Sequence, residues 1–479
     1  MSPLEAGAIR LRAFLVKSIL LLKLLIFMDE PLNESLEKVL LPHFKQTRRR
    51  AMRLRIRGRE VWLYGMPKQP QGVFRWLWIL GPGLVAASAG NDAGGIATYS
   101  SAGAQFGYEL LWVMLLITVS LAVVQEMCAR LGAATGRGLL DLIRERFGLG
   151  WGVFAITTIL IANGGLIISE FVGIGAALEL FGVSRYVSVP LAAGLVWYLV
   201  VFGSYAQVEK IFLIMTLVFL AYPIAAFLSK PVWGEVAMGF VPKIHTDTAY
   251  ITMLVGLIGT TITPYMQLFQ QSSTVEKGTA RKHYGDERID AYAGSVFSNL
   301  MSIAMIIATA ATLHVIGKTE IESASDAAKA LEPVAGASAR IIFGVGLFGA
   351  SMLAAAVLPL ATAYAVSETF GFPKGVNLDF RRAPIFFRLF TGLIVLGAVV
   401  ALIPNLPVIS LLFFIQILNG ALLPIVLLFI MRLTNDERLM QNLKNTRFYN
   451  ILGWTTLAFV TTAVLAMFGL QIYDYLAGK

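Results

Sequence analysis

Apolar runs long enough to cross about 30 Å of hydrocarbon recur from Leu77 nearly to the end of the chain. Short polar or charged stretches separate them. In lipid, backbone polar groups must pair within their own segment, so each run predicts an α-helix. Eleven spans are expected, at 77–104, 109–132, 150–181, 187–203, 208–228, 249–275, 288–315, 339–370, 385–403, 406–432 and 447–470. The chain therefore reads as an all-α, multi-pass membrane protein.

Two spans contain residues that a simple membrane helix avoids. Span 1 holds Ser88-Ala-Gly-Asn-Asp92-Ala-Gly-Gly95. An ionised carboxylate at mid-membrane costs about 2.5 kcal/mol or more, and such acids mark ion and substrate pathways. The glycines weaken the helix around it. Both costs are accounted for if the helix unwinds at Asp92 and its freed carbonyls join the carboxylate in a cage of oxygens. Discontinuous helices of this kind form the midplane sites of secondary transporters. The plain structural alternative makes Asp92 a helix N-cap or the partner of a buried cation. No Lys or Arg stands near the middle of any span, which disfavours the second form.

An inverted repeat would place a second break five spans later. Span 6 contains Gly256, Gly259, Thr260, Thr261, Thr263 and Pro264. Pro264 lacks a backbone donor and pushes Thr263 away from helical geometry.

Composition sharpens the class. Of 479 residues, 57% are hydrophobic and 14% charged, well below a soluble chain's usual charge content. The single cysteine, Cys128, excludes an internal disulfide framework and any multi-cysteine metal site. Residues 1–75 carry 15 Lys/Arg and 6 Asp/Glu, so nearly all of the net +10 lies there. The chain is accordingly divided into a basic N-terminal extension, 1–75, and a membrane domain, 76–479. Eight basic residues lie between Lys45 and Arg59. Ahead of membrane spans, such a cluster favours anionic lipid over nucleic acid as its partner. The segment Ile9–Phe27 is interrupted by Arg10, Arg12, Lys17 and Lys23, which point two ways on a helix. It reads as an interfacial or poorly ordered cytoplasmic extension.

With the N-terminus in the cytoplasm, the inner loops and adjoining helix ends carry 17 Lys/Arg, among them Arg137, Arg144, Arg281, Lys282, Arg381, Arg382 and Arg438. The outer side carries 7. This is the positive-inside bias, and an odd span count leaves the C-terminus extracytoplasmic. A cell-membrane location is expected.

Two blocks resemble a known family. The stretch from Gly81 through "SAGNDAGGIATYSSAGAQFGYELLWVMLL", followed by "VVQEMCARLGAATGRGLLDLIRERFG", is similar to helices 1 and 2 of the NRAMP divalent-metal transporters. "SLLFFIQILNGALLPIVLLFIMRLTNDERLM" is similar to their helix 10. The resemblance spans residues 77 to about 450. It implies a LeuT-type fold of 11 transmembrane helices, with helices 1–5 and 6–10 as inverted repeats, helices 1 and 6 broken, and no resident cofactor.

The family's helix 1 motif, DPGN, is here Asp92-Ala93-Gly94-Gly95. The aspartate ligand is kept. The asparagine ligand falls on Gly95, with Asn91 beside Asp92. The helix 6 motif, MPHN, is here Thr263-Pro264-Tyr265-Met266, so the sulfur ligand falls on Thr263. The family's carbonyl ligand would fall at Thr260, and Gln416 matches a glutamine near the site. The resemblance thus implies a metal set of Asp92, Thr260, Thr263 and Gln416, lined by Ala89, Asn91, Gly95 and Tyr265. Removing a soft thioether leaves oxygen donors, which suit a hard cation. Mg²⁺ sheds water reluctantly and touches one or two carboxylates. The substitutions resemble the divergent NRAMP-related magnesium transporter branch, with Mn²⁺ also accepted. Thr263 bonding back to its own helix is the bland alternative. Met266, three positions along, is read as packing.

Proton-coupled members use helix 3 acids, which fall at Leu160, Ile167 and Glu170, and helix 6 histidines, which fall at Tyr265 and Gln270. Only Glu170 remains. None of His43, His245, His283 and His314 stands mid-span. A relay needs groups that titrate near working pH, so an uncoupled facilitator is expected, acting as a monomer. Kept beside it are an ordinary proton-coupled Mn²⁺/Fe²⁺ transporter, a Na⁺-coupled amino-acid carrier, whose substrate carboxylate Asp92 would repel, and a receptor-like relative without transport. The receptors add a large C-terminal domain, whereas this chain ends within nine residues of span 11. No nucleophile–base pair, metal triad or phosphate loop points to an enzyme, and "GAATGRG" lacks the Lys-Ser/Thr of a P-loop.

Overall fold

A computed structural model describes residues 51–56, 59–64, 90–202, 220–276, 284–321, 339–376 and 378–477. The chain divides into two units, Met1–Arg75 and Trp76–Lys479.

In the first unit, β1 (Ala51–Ile56) and β2 (Arg59–Tyr64) pair antiparallel, with Ala51 opposite Tyr64 and Ile56 opposite Arg59. No strand is expected here from composition and charge. The signal lies inside the basic run: Met52, Leu54 and Ile56 alternate with Arg53 and Arg55. That is the two-residue period of a strand, and the charge total conceals it. The expected interfacial segment, 9–27, lies outside the described residues.

The second unit is helical. Its helices are α1 (Ala93–Phe106), α2 (Leu111–Thr135), α3 (Leu139–Phe147), α4 (Leu149–Glu179) and α5 (Arg185–Phe202). There follow α6 (Ala221–Leu228), α7 (Trp233–Gly239), α8 (Thr248–Thr261), α9 (Pro264–Glu276) and α10 (Tyr284–Thr309). The last continues as a π-helical turn, Ala310–His314. Then come α11 (Ala339–Phe370), α12 (Pro384–Ala401), α13 (Val408–Thr434), α14 (Glu437–Met440) and α15 (Arg447–Leu476). Among the described residues, nine helices are long and apolar enough to cross a membrane, α8 and α9 together making one. Expected spans 1 and 5 are described only from residues 90 and 220 onward. Short α3 and α7 lie in stretches the span pattern leaves as loops.

Small residues set the crossings. Van der Waals contact and close backbone approach, rather than water exclusion, drive helix association in lipid. A β-carbon on Gly420 of α13 would lie 2.5 Å from the Val255 carbonyl of α8 and 3.4 Å from Gly259 Cα. The α8 and α13 backbones therefore touch at the Gly259–Gly420 pair. At the α4–α12 crossing, a β-carbon on Gly397 would lie 2.7 Å from Phe171 and 2.8 Å from Ile167. Lipid-facing surfaces stay apolar: Leu160, Leu191 and Leu465 are exposed on α4, α5 and α15.

Candidate metal centre

The centre lies where α1 begins and where α8 gives way to α9. Asp92 is the N-cap of α1, and its Oδ1 accepts the Gly95 N–H at 2.6 Å. The bland reading, an N-cap, is thus what Oδ1 does. The other oxygen, Oδ2, is buried and has no hydrogen-bond partner. One carboxylate oxygen thus holds the half-helix, and the Glu170 carboxyl group lies against the same side chain.

Asp247 caps the start of α8 through the Tyr250 N–H at 2.9 Å. The half-helix ends with the bond from Ile262 N–H to the Ile258 carbonyl, 2.9 Å. Residue 264, which would bond the Thr260 carbonyl, is a proline and has no N–H to give. Pro264 instead starts α9, the position that suits its fixed φ. The carbonyl end of α8, the negative end of its dipole, therefore opens at the break.

Asp92, Thr260, Thr263, Tyr265 and Gln416 are all fully buried. Gln416 Nε2 on α13 lies 3.4 Å from Asp92 Oδ1, while its Oε1 lacks a partner. The clearest measure of the cage is at Gly95. A β-carbon there would stand 2.5 Å from the Gly90 carbonyl, 3.1 Å from Thr260 Oγ1 and 3.2 Å from Asp92 Oδ1. The hydroxyls of Thr260 and Thr263 are buried without partners. Among the described residues, no three His, Cys, Asp or Glu gather at metal-ligating spacing. The local donors are the Asp92 carboxylate with Glu170 beside it, an amide, hydroxyls and carbonyls.

Other expected residues fall into place differently. Asn91 is turned away to α10: Nδ2 donates to Ser298 O at 3.0 Å, and Oδ1 accepts from Ser302 Oγ at 2.7 Å. It anchors the break instead of opening into the cage. Ala89 lies outside the described residues. Met266 is fully buried packing. Glu170 on α4 is fully buried, and its Oε2 accepts the Ala93 N–H at 3.3 Å, which brings it beside Asp92. Of the other two helix 3 positions, Leu160 is 39% exposed on the outer face and Ile167 is packed against Gly397. Glu179 is held at the surface by Arg185, at 2.5 and 2.8 Å.

On one side of the cage, Ala93, Ile96, Gly173, Phe343, Leu347 and Leu412 surround a gap of about 10 Å³. That is room for about one water. A larger cavity of about 460 Å³ lies past the end of α1, with Glu109, Glu235, Lys243 and His314 among its lining. Burial there, together with the nearby Glu235 charge, raises the Tyr108 phenol above its usual pKa.

Two buried charge groups lie outside the expected site. Glu126 and Arg130 of α2 pair at 3.1 Å, and Arg130 also holds Leu443 O at 2.9 Å and Asn445 Oδ1 at 2.6 Å. Glu368 of α11 accepts from Ser272 Oγ of α9 at 3.1 Å and the Leu140 N–H of α3 at 3.3 Å, and pairs with Lys374 at 3.2 Å. Both sit toward helix ends, where an acid in sequence reads as an interface residue.

Comparison with known proteins follows the same lines. The chain is 28% identical over 428 residues to a divalent metal cation transporter MntH of Deinococcus radiodurans, covering 85% of this chain and 92% of that one. It is 29% identical over 407 residues to MntH 1 of Pseudomonas aeruginosa, covering 81% and 90%. The crystal structure of the Eremococcus coleocola manganese transporter superposes with a TM-score of 0.70 at 18% identity, covering 86% of this chain and 90% of that one. Mhp1, a nucleobase-cation-symport-1 family transporter, superposes at 0.51 and 14% identity, covering 82% and 92%. The fold is thus LeuT-type, and the protein is a multi-pass integral membrane protein. The model of the natural resistance-associated macrophage protein-like family, Nramp, matches residues 83–469, and the chain belongs to that family.

Proposed function

We propose that the protein moves divalent metal cations across the membrane, with Mg²⁺ as substrate, Mn²⁺ accepted, and no coupled proton. The MntH relatives and the Eremococcus coleocola structure are named for divalent metal or manganese transport. The observation that carries the finer reading is the donor set, in which Asp92 Oδ2, Gln416 Oε1 and the Thr260 and Thr263 hydroxyls are buried oxygens without hydrogen-bond partners and no sulfur stands among them. Hard cations take such donors, and Mg²⁺ usually keeps several waters and binds one or two carboxylates. Asp92 supplies the charge. Thr260, Thr263 and Gln416 supply dipoles to the ion or to its water. With the N-terminus cytoplasmic, as the distribution of basic residues favours, a divalent ion gains about 4.6 kcal/mol inward per 100 mV, twice the single-charge value. The potential suffices as a driving force.

A second reading, proton-coupled Mn²⁺ transport, draws on one observation: Glu170 lies buried beside Asp92. Two adjacent carboxylates are able to share a proton. Proteoliposomes loaded with a pH dye separate the two. The uncoupled reading expects Mg²⁺ and Mn²⁺ uptake with no lumenal acidification. Proton entry that follows the metal overturns it.

A further inference from the structure

Polar character continues beyond Thr263 along α9. On α9, Gln267, Gln270 and Thr274 stand at i, i+3 and i+7, which forms one stripe, and Thr263 precedes it in the non-helical break. All four are fully buried. Thr274 Oγ1 is satisfied by the Gln270 carbonyl at 2.8 Å. Thr263 Oγ1, Gln267 Nε2 and both amide atoms of Gln270 have no hydrogen-bond partner.

The stripe faces α2. Cys128 Sγ lies 3.8 Å from Gln267 Oε1, and a β-carbon on Gly132 would lie 3.3 Å from Thr274 Cβ. Gln125 lies on the same face of α2, three residues before Cys128 and seven before Gly132. It too is fully buried, and neither of its amide atoms has a partner. Other polar residues of α9 are engaged elsewhere: Gln271 Nε2 bonds the Arg137 carbonyl and Ser272 bonds Glu368.

Six open polar atoms thus belong to side chains of one seam, which begins at the break. Left dry they carry a full desolvation penalty, and native interiors relieve such groups with ordered water. The stripe holds no charge. Neutral amide oxygens bind a divalent ion weakly enough to release it, and a conducting path requires that.

We propose that the α2–α9 seam is a water-filled leg of the ion's route, running from Thr263 to Thr274, whose amides exchange contacts with the hydration shell of a divalent cation. This rests on the divalent-ion reading of the centre. The amides position water around the ion, and Asp92 remains the charged ligand.

The protein carries its own reporter. Cys128, its single cysteine, is buried against Gln267. Full-length protein in proteoliposomes is treated with 2-aminoethyl methanethiosulfonate, a narrow cationic thiol reagent, and read by intact mass. Labelling of Cys128 is expected, slowed at least threefold by saturating Mg²⁺. Replacing Gln125→Leu and Gln270→Leu together should slow labelling at least tenfold and lower Mg²⁺ uptake. If that pair does not fold, Gln270→Met, which keeps the volume, should still slow labelling severalfold. Cys128 left unlabelled in vesicles that take up Mg²⁺ overturns the proposal, as does labelling that Mg²⁺ does not slow. If no divalent ion is taken up at all, the transport reading fails, whereas failure of labelling alone leaves that reading intact.

Discussion

Gln416 Nε2 and Asp92 Oδ1 stand 3.4 Å apart, although 324 positions separate them in the chain. The contact joins α1 to α13, and the bare Gly259–Gly420 crossing lets α13 come close enough to make it. It also divides the labour of the Asp92 carboxylate. Oδ1 is occupied by the Gly95 N–H and Gln416, while Oδ2 stays open.

That division separates fold from chemistry. Asp92→Asn keeps a capping oxygen and removes the charge, so divalent uptake should fall at least tenfold with little change in thermal stability. Asp92→Ala should lose uptake as well and also about 1 kcal/mol of stability, the usual value of an N-cap. Equal uptake by wild-type and Asp92→Asn protein in proteoliposomes would remove Asp92 from the site.

Gly95→Ala tests the cage itself. The new methyl would meet the Gly90 carbonyl at 2.5 Å, closer than real β-carbons come. Relieving such overpacking costs about 1–3 kcal/mol. The melting temperature in detergent should drop, and Mg²⁺ uptake should fall more than Mn²⁺ uptake, because a narrower cage excludes a water-laden ion first.

Thr263→Met restores a thioether beside the break. Competition assays should then show Mn²⁺ and Cd²⁺ gaining on Mg²⁺ by about tenfold, roughly 1.4 kcal/mol of relative affinity. Unchanged competition would mean that residue 263 does not line the ion.

Glu368→Ala addresses a structural link. Ser272 Oγ and the Leu140 N–H would lose their acceptor in a buried place. An unsatisfied buried group costs about 1–3 kcal/mol, so the variant should melt several degrees lower. Lys374 keeps Asp141 at 2.6 Å, so the loss should come from those two groups alone, about 2–6 kcal/mol together.

The helical architecture is legible in the sequence because bilayer thickness dictates span length. Two positions of the centre carry local signals as well: Asp92 among glycines, and Pro264 after a run of threonines. What is not legible is tertiary. Asn91 sits beside the key acid in sequence, yet its amide turns toward Ser298 and Ser302, a choice made by α10. Glu126 and Arg130 form an i,i+4 pair that sequence shows as two charges near a helix end; their burial depends on Leu443 and Asn445, more than three hundred residues on. In β1, the apolar alternation lies inside a run whose net charge masks it.

The gap of about 10 Å³ beside Ala93 and Phe343 sets a size limit. A space one molecule wide, walled by alanine, isoleucine, leucine and phenylalanine, supports no continuous column of solvent. On that side of Asp92 the walls must part before anything larger than a single water can pass.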